Sequence, residues 1–148
     1  MSTVLFVCRQ NAGRSQMSHA LFERAAGGRH GALSAGTTPA EHVHPEVIQV
    51  MNEVGLDVSG RPQVLPPDAL DHAALIVTFS DERALRRPAA VPEESWDLPD
   101  PRGLSLDRLR ELRDRLRERV WRLVARQGWY KLQPVRMLRF SAEQRQQA

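Results

Sequence analysis

Residues 3–26 constrain the fold of this chain more than any other stretch. Thr3-Val4-Leu5-Phe6-Val7 is short, apolar and rich in β-formers, which predicts a buried strand. It runs straight into Cys8-Arg9-Gln10-Asn11-Ala12-Gly13-Arg14-Ser15, a glycine-containing loop. A helix follows over Ser15–Ala26, with Met17, Leu21 and Phe22 at helical spacing and Gly27-Gly28 as its stop.

The alternation continues. Ala32–Ala35 is a second strand, and Gly36-Thr37-Thr38-Pro39 turns the chain. Pro45–Val54 carries Val47, Ile48, Val50, Met51 and Val54 on a helical pattern, with Pro45 in the first turn and Gly55 past the end. A third strand lies within Ala73–Phe79, followed by a short helix from Asp81 to about Arg86, closed by Pro88. Ser95–Leu98 is the candidate fourth strand, and Leu98 to Gly103 forms a loop. Leu109, Leu112, Leu116, Val120, Leu123 and Val124 then step by three or four along one helical stripe, with Trp121 beside it as packing and Arg and Glu on the solvated side. Strands alternating with helices predict an α/β three-layer sandwich: a four-stranded parallel sheet flanked by helices. Ligands of such sheets sit beyond the carboxyl ends of the strands, where Cys8 lies.

A length of 148 residues suits one domain with its own core. No run approaches the roughly 18–20 apolar residues of a membrane helix, and the start lacks the basic and apolar regions of a secretory signal. Cys8 is the only cysteine, so no internal disulfide can form. A cytoplasmic, reducing setting is the expectation. The chain has 21 Lys and Arg against 18 Asp and Glu. Lys131, Arg136, Arg139 and Arg145 against Glu143 account for the whole excess. The chain therefore divides into a balanced body, 1–127, and a basic C-terminal extension, 128–148. A body without surplus positive charge disfavours a nucleic-acid partner. The oligomeric state is left open.

The loop after the first strand has the makings of an oxyanion cradle. A tetrahedral anion needs convergent donors, which consecutive backbone N–H groups of residues 9–14 and a helix N-terminus supply. Arg9, Gln10 and Ala12 contribute backbone, Gly13 allows backbone angles that a Cβ would resist, and Asn11 tolerates a left-handed conformation. Arg14 adds a planar fork that matches two oxygens. The same field favours a thiolate at Cys8, the reactive form of a cysteine. Ser15 at the helix start can cap the helix or donate to that thiolate. The bland alternative for Cys8 is a small buried hydrophobe. The histidines, His42 and His44 among them, form no evident ligand set, so no metal is expected.

Cys8 to Ser15 resembles the active-site loop of the low-molecular-weight protein tyrosine phosphatase superfamily, which includes arsenate reductases on the same fold. Gly13-Arg14-Ser15-Gln16-Met17, Ser34-Ala35-Gly36-Thr37 with Pro39-Ala40, Val50 to Ser59, and Trp96 to Pro101 are similar to segments of the arsenate reductase branch. The likeness covers residues 3 to about 126 and implies the superfamily's phosphatase-like fold. It also implies that Asp100, between Pro99 and Pro101, is the general acid.

The chain departs from the branch that relays electrons through extra cysteines to thioredoxin, because Thr78-Phe79-Ser80-Asp81-Glu82-Arg83-Ala84 contains none. The resemblance then favours the single-cysteine arsenate–thiol (mycothiol-type) transferases. There an external low-molecular-weight thiol and a glutaredoxin-like partner complete the reduction, with no bound cofactor. Tyrosine phosphatases of the superfamily carry tyrosines directly after the Asp-Pro pair. Arg102-Gly103 stand here, and the only tyrosine is Tyr130, so phosphomonoester hydrolysis is the second reading, with weak phosphatase activity expected in any case. A non-catalytic oxyanion-binding protein is the third, and the Asp100 carboxylate argues against it.

Overall fold

The structure, a computed structural model, describes residues 2–79 and 90–130. Four strands, β1 (Thr3–Cys8), β2 (Gly31–Gly36), β3 (Leu75–Phe79) and β4 (Glu93–Trp96), form one sheet in the order β2-β1-β3-β4. Every neighbouring pair is parallel. The helices are α1 (Arg14–Ala26), α2 (Pro45–Asn52), α3 (Ala69–His72) and α4 (Leu106–Gln127).

Alternation along the strands divides the core in two. Val4, Phe6, Cys8, Val77 and Phe79 pack with apolar residues of α1, α2 and α4. Leu5, Val7 and Ile76 face the other way, onto Ala73, Val91 and the partly buried Leu65, Ala69 and Leu70. The α4 stripe, Leu109, Leu112, Leu116, Val120, Leu123 and Val124, is buried throughout. Burying one such leucine stabilises by roughly 1.5–3 kcal/mol. Phe6, between Phe22 and Trp96, ties the central strand to α1 and to β4.

Several boundaries differ from expectation for local reasons. The fourth strand comes two residues early, because β4 pairs only along β3, from Ile76↔Glu93 to Phe79↔Trp96. Beyond it Leu98 N–H donates to Trp96 O, a tight turn that takes the chain out of the sheet. The long helix starts at Leu106, where the Ser105 hydroxyl accepts from Arg108 N–H and caps it. α3 is a single turn without apolar periodicity. The helix expected over 81–86, with Pro88, lies outside the described residues, as do 131–148 of the basic extension. Gly128 ends α4 in a left-handed conformation, and Trp129 stacks on His30 and meets the edge of Phe22. Trp129 and Tyr130 thus pack against the core of the body. Trp121, beside the stripe, is 48% exposed and leans on Tyr130, so it is partly buried packing at the edge of the core.

Candidate active site

Cys8 ends the central strand with its side chain buried, and the loop behind it is shaped by what its carbonyls bond to. Thr37 N–H donates to Cys8 O, Thr38 N–H to Arg9 O, Ala40 N–H to Gln10 O and His44 N–H to Ala12 O. Met17 N–H, one turn into α1, takes Gly13 O. The carbonyls therefore point outward, to the 37–44 segment and to the helix. No peptide bond among the described residues is cis. In a trans peptide the N–H points opposite to the C=O of the preceding residue, so the N–H groups of Arg9, Gln10, Asn11, Gly13 and Arg14 turn the other way. The first turn of α1 adds N–H groups without helical acceptors and the positive end of its dipole.

Gly36 makes this curl possible. It is paired with Cys8 at the end of β2, and a Cβ there would lie 2.8 Å from Arg9 O and 2.9 Å from Asn11 N. Asn11 adopts φ 52, the left-handed turn foreseen for it.

The sulfur and the loop share one side-chain chain. Cys8 Sγ and Ser15 Oγ are 2.9 Å apart, and Asn11 Nδ2 donates to the same Oγ at 2.8 Å. Asn11 Oδ1 accepts from Gln63 N–H (3.0 Å) and from Gln16 Nε2 (3.1 Å). A backbone donor on Oδ1 fixes which way the amide faces, so its NH₂ meets Ser15. With its oxygen already accepting, Ser15 has its proton to give to the sulfur. Ser15 does not cap α1: Gly13 is the N-cap and no side chain bonds there. Ser15 is the second residue inside the helix, and its Oγ is bonded to Cys8 and Asn11.

Arg14 is buried, with its guanidinium 5.2 Å above the centre of the Phe79 ring and Nη1 donating to Leu98 O at 3.0 Å. That bond ties it to the loop carrying Asp100. At Gly13 the close approach of Pro101 leaves no room for a side chain: a Cβ there would overlap Pro101 Cγ. Asp100 thus sits over the cradle, and with Pro101 it lines the small cavity bounded by Cys8, Arg9, Gln10, Ala12, Gly13, Arg14 and His44. Outside it opens a cavity of about 490 Å³, lined by Arg9, Arg14, Asp97, Leu98, Pro99, Asp100 and Arg102. A larger groove of about 790 Å³ between α1 and α4 contains none of these residues.

Partial burial pushes Asp100 toward its neutral form. The backbone N–H and side chain of Arg102 and the charge of Arg14 outweigh that and hold its carboxyl below the ordinary value. His19, left without a role by the sequence, bridges Ser34 Oγ (3.2 Å) and Glu23 (2.7 Å). Among the described residues, no three His, Cys, Asp or Glu side chains gather into a metal-binding group.

Of the predicted residues, Cys8, Arg9, Gln10, Ala12, Gly13, Arg14 and Asp100 line one mouth, and Asn11 and Ser15 lie buried behind it. Three contributors were missed as site residues: Gly36, Gln63 and Arg102. Gly36 carried a usable signal, since a glycine inside a strand pattern marks a close backbone approach. Gln63 carried none.

A family model described as low molecular weight phosphotyrosine protein phosphatase matches residues 3–129. A protein of Halobacterium salinarum, provisionally assigned as an arsenate reductase, is 40% identical over 78% of this chain and 85% of its own length. The glutaredoxin arsenate reductase of Synechocystis is 32% identical, over 85% of this chain and 98% of its own. The structure of the thioredoxin-dependent arsenate reductase of Corynebacterium glutamicum superposes with a TM-score of 0.73 at 28% identity, over 83% of this chain. This chain spans 60% of that longer protein.

Proposed function

Because the chain belongs to the low molecular weight phosphotyrosine protein phosphatase family, we propose that it is an arsenate reductase with a single catalytic cysteine. The observation that carries the reading is the buried Cys8 sulfur, 2.9 Å from the Ser15 hydroxyl, at the floor of a loop whose N–H groups at residues 9–11, 13 and 14 turn away from their outward-bonded carbonyls. Backbone donors of residues 9–14 and the Arg14 fork hold three oxygens of arsenate. The Cys8 thiolate attacks arsenic and forms an S–As bond. Asp100 protonates the departing oxygen, which leaves as water. Ser15 donates a hydrogen bond to the thiolate before attack and again when Cys8 later leaves.

Cys8 is the only cysteine, so a second thiol has to come from outside. A low-molecular-weight thiol attacks arsenic and displaces Cys8 as thiolate. A glutaredoxin-like thiol then attacks the sulfur of that thiol–arsenate. A mixed disulfide forms, and arsenite departs with the two electrons. This chemistry suits a cytoplasm that keeps thiols reduced. Phosphate fits the same cradle, so weak hydrolysis of phosphomonoesters accompanies the main reaction, with water in place of the thiol.

The test is arsenate turnover by the purified chain with glutathione and glutaredoxin, against a thioredoxin system alone. Turnover is expected in the first, little in the second, and none in Cys8→Ser. Equal turnover with thioredoxin alone refutes the external-thiol step. Efficient p-nitrophenyl phosphate hydrolysis with no arsenate turnover makes the chain a phosphatase.

A further inference from the structure

The residue after Pro101 folds back onto the candidate acid. Arg102 N–H donates to Asp100 Oδ1 at 2.9 Å, Arg102 Nε donates to Oδ2 at 3.1 Å, and Nη2 lies 3.0 Å from Oδ2. The turn is completed by Gly103 at φ 78 and by Leu104 N–H on Pro101 O. Both side chains line the 490 Å³ cavity, and Asp100 lines the cradle as well. The pair stands in solvent, with 52% of Arg102 and 38% of Asp100 exposed, so its side-chain half can exchange partners.

We propose that Arg102 is a positioning residue that holds Asp100 as a carboxylate while the cradle is empty, and turns to the oxyanion when the cradle fills. Substrate arrival thereby frees Asp100 to take up a proton. The inference rests on the reading that the cradle binds a tetrahedral oxyanion and that Asp100 is its acid.

The charges around Asp100 support the exchange. Arg14 faces it from α1, Arg9 from the cradle loop and Arg102 from its own loop; Asp97 lies on the strand side, with His44 and Cys8 across the cradle. In the empty site the guanidinium groups outnumber the carboxylates, which favours the ionised acid. A general acid is useful only when protonated at the moment the leaving oxygen departs. An acid clasped by a guanidinium is in the wrong state for that step. A bound oxyanion changes both influences. Its negative charge disfavours a second anion beside it, and its oxygens compete for the same fork that Arg102 lends to Asp100. The proton then comes from solvent to Asp100 and passes to the oxygen that leaves. Burial and the Arg102 backbone N–H persist through the exchange; only the side-chain bonds and the local charge change.

The experiment is a carbon-13 titration of the Asp100 carboxyl, assigned with Asp100→Asn, with and without inorganic phosphate, in the unaltered chain and in Arg102→Gln. In the unaltered chain phosphate is expected to raise the midpoint by about one pH unit. In Arg102→Gln the empty-site midpoint already stands about half a unit higher, the size expected from losing one exposed ion pair. Phosphate then adds a smaller rise and binds several-fold more weakly. Identical titrations in the two proteins, or an equal phosphate effect in both, overturn the exchange while leaving the acid role intact. An unaltered arsenate rate in Asp100→Asn removes the acid role itself, and the exchange with it. No phosphate effect in either protein overturns both.

Discussion

Ser15→Ala tests whether the side-chain chain behind Cys8 serves the chemistry or only the loop. The Ser15 hydroxyl has two partners at ordinary distances, 2.9 Å to Cys8 Sγ and 2.8 Å to Asn11 Nδ2. The first carries the activity prediction. A hydrogen bond to a charged group contributes about 1.5–3 kcal/mol, and each 1.36 kcal/mol is tenfold in rate. The kcat/KM for arsenate at saturating thiol should therefore fall about 10- to 150-fold. The second carries the stability prediction. Asn11 is fully buried, so its NH₂ finds no water once Ser15 Oγ is gone. An orphaned donor of this kind costs about 1–3 kcal/mol, which for a chain of this length lowers Tm by roughly 3–10 °C. Ser18 is the control. It is buried on the same helix, and its Oγ has no hydrogen-bond partner among the described residues. Ser18→Ala should leave both quantities nearly unchanged. A folded Ser15→Ala protein with kcat/KM within twofold of the parent would refute the hydroxyl's part in stabilising the sulfur.

Two further outcomes follow from contacts away from the sulfur. Gly13→Ala puts a methyl group where Pro101 now packs, so the loop bearing Asp100 has to lift; kcat should drop at least tenfold while Tm changes by only a few degrees, and an unchanged kcat would mean that the loop's seat on the cradle is irrelevant to catalysis. Glu53, at the end of α2, is held at a pKa of about 2 by hydrogen bonds from Arg110, opposed by partial burial and reinforced by Arg113. Its pKa is depressed on folding, so the stability it contributes is present above about 4.5 and lost as pH falls toward about 2; Glu53→Gln should flatten the fall of Tm across that window relative to the parent, and parallel curves would show that the clamp adds nothing.

The fold was legible because its signals are local. The apolar run at 3–7, the stripe from Leu109 to Val124 and the glycines at helix ends each announce an element without reference to the rest of the chain. The candidate site was legible to the extent that it is one loop. Cys8, Asn11, Gly13, Arg14 and Ser15 fall within eight residues, and strand and helix on either side fix where that loop points. Asp100 needed the resemblance, since an aspartate between prolines is otherwise an ordinary turn residue. The extent of β4 was misread because the end of a strand is set by its partner, here β3, and not by its own side chains.

What stayed hidden is the long-range backbone bonding that converts a loop into a cradle. The donors that pull the carbonyls of residues 8, 9, 10 and 12 outward come from positions 37, 38, 40 and 44, and N–H groups carry no side-chain signature. Gln63 acts the same way, since its backbone N–H is what orients Asn11, whatever side chain it bears. Gly36 is the point where this hidden layer reaches the sequence, because the close passage of Arg9 and Asn11 over its Cα excludes every residue with a Cβ. It follows that the 37–44 segment shapes the cradle as directly as residues 9–14 do. Apart from Val43, which is buried in the core, and His44, which lines the cradle, side chains of 37–44 can vary so long as the donating N–H groups stay in register with β1, whereas a single inserted residue there would release the carbonyls, let the loop N–H groups turn outward, and leave the Cys8 sulfur without the donors that bind its substrate.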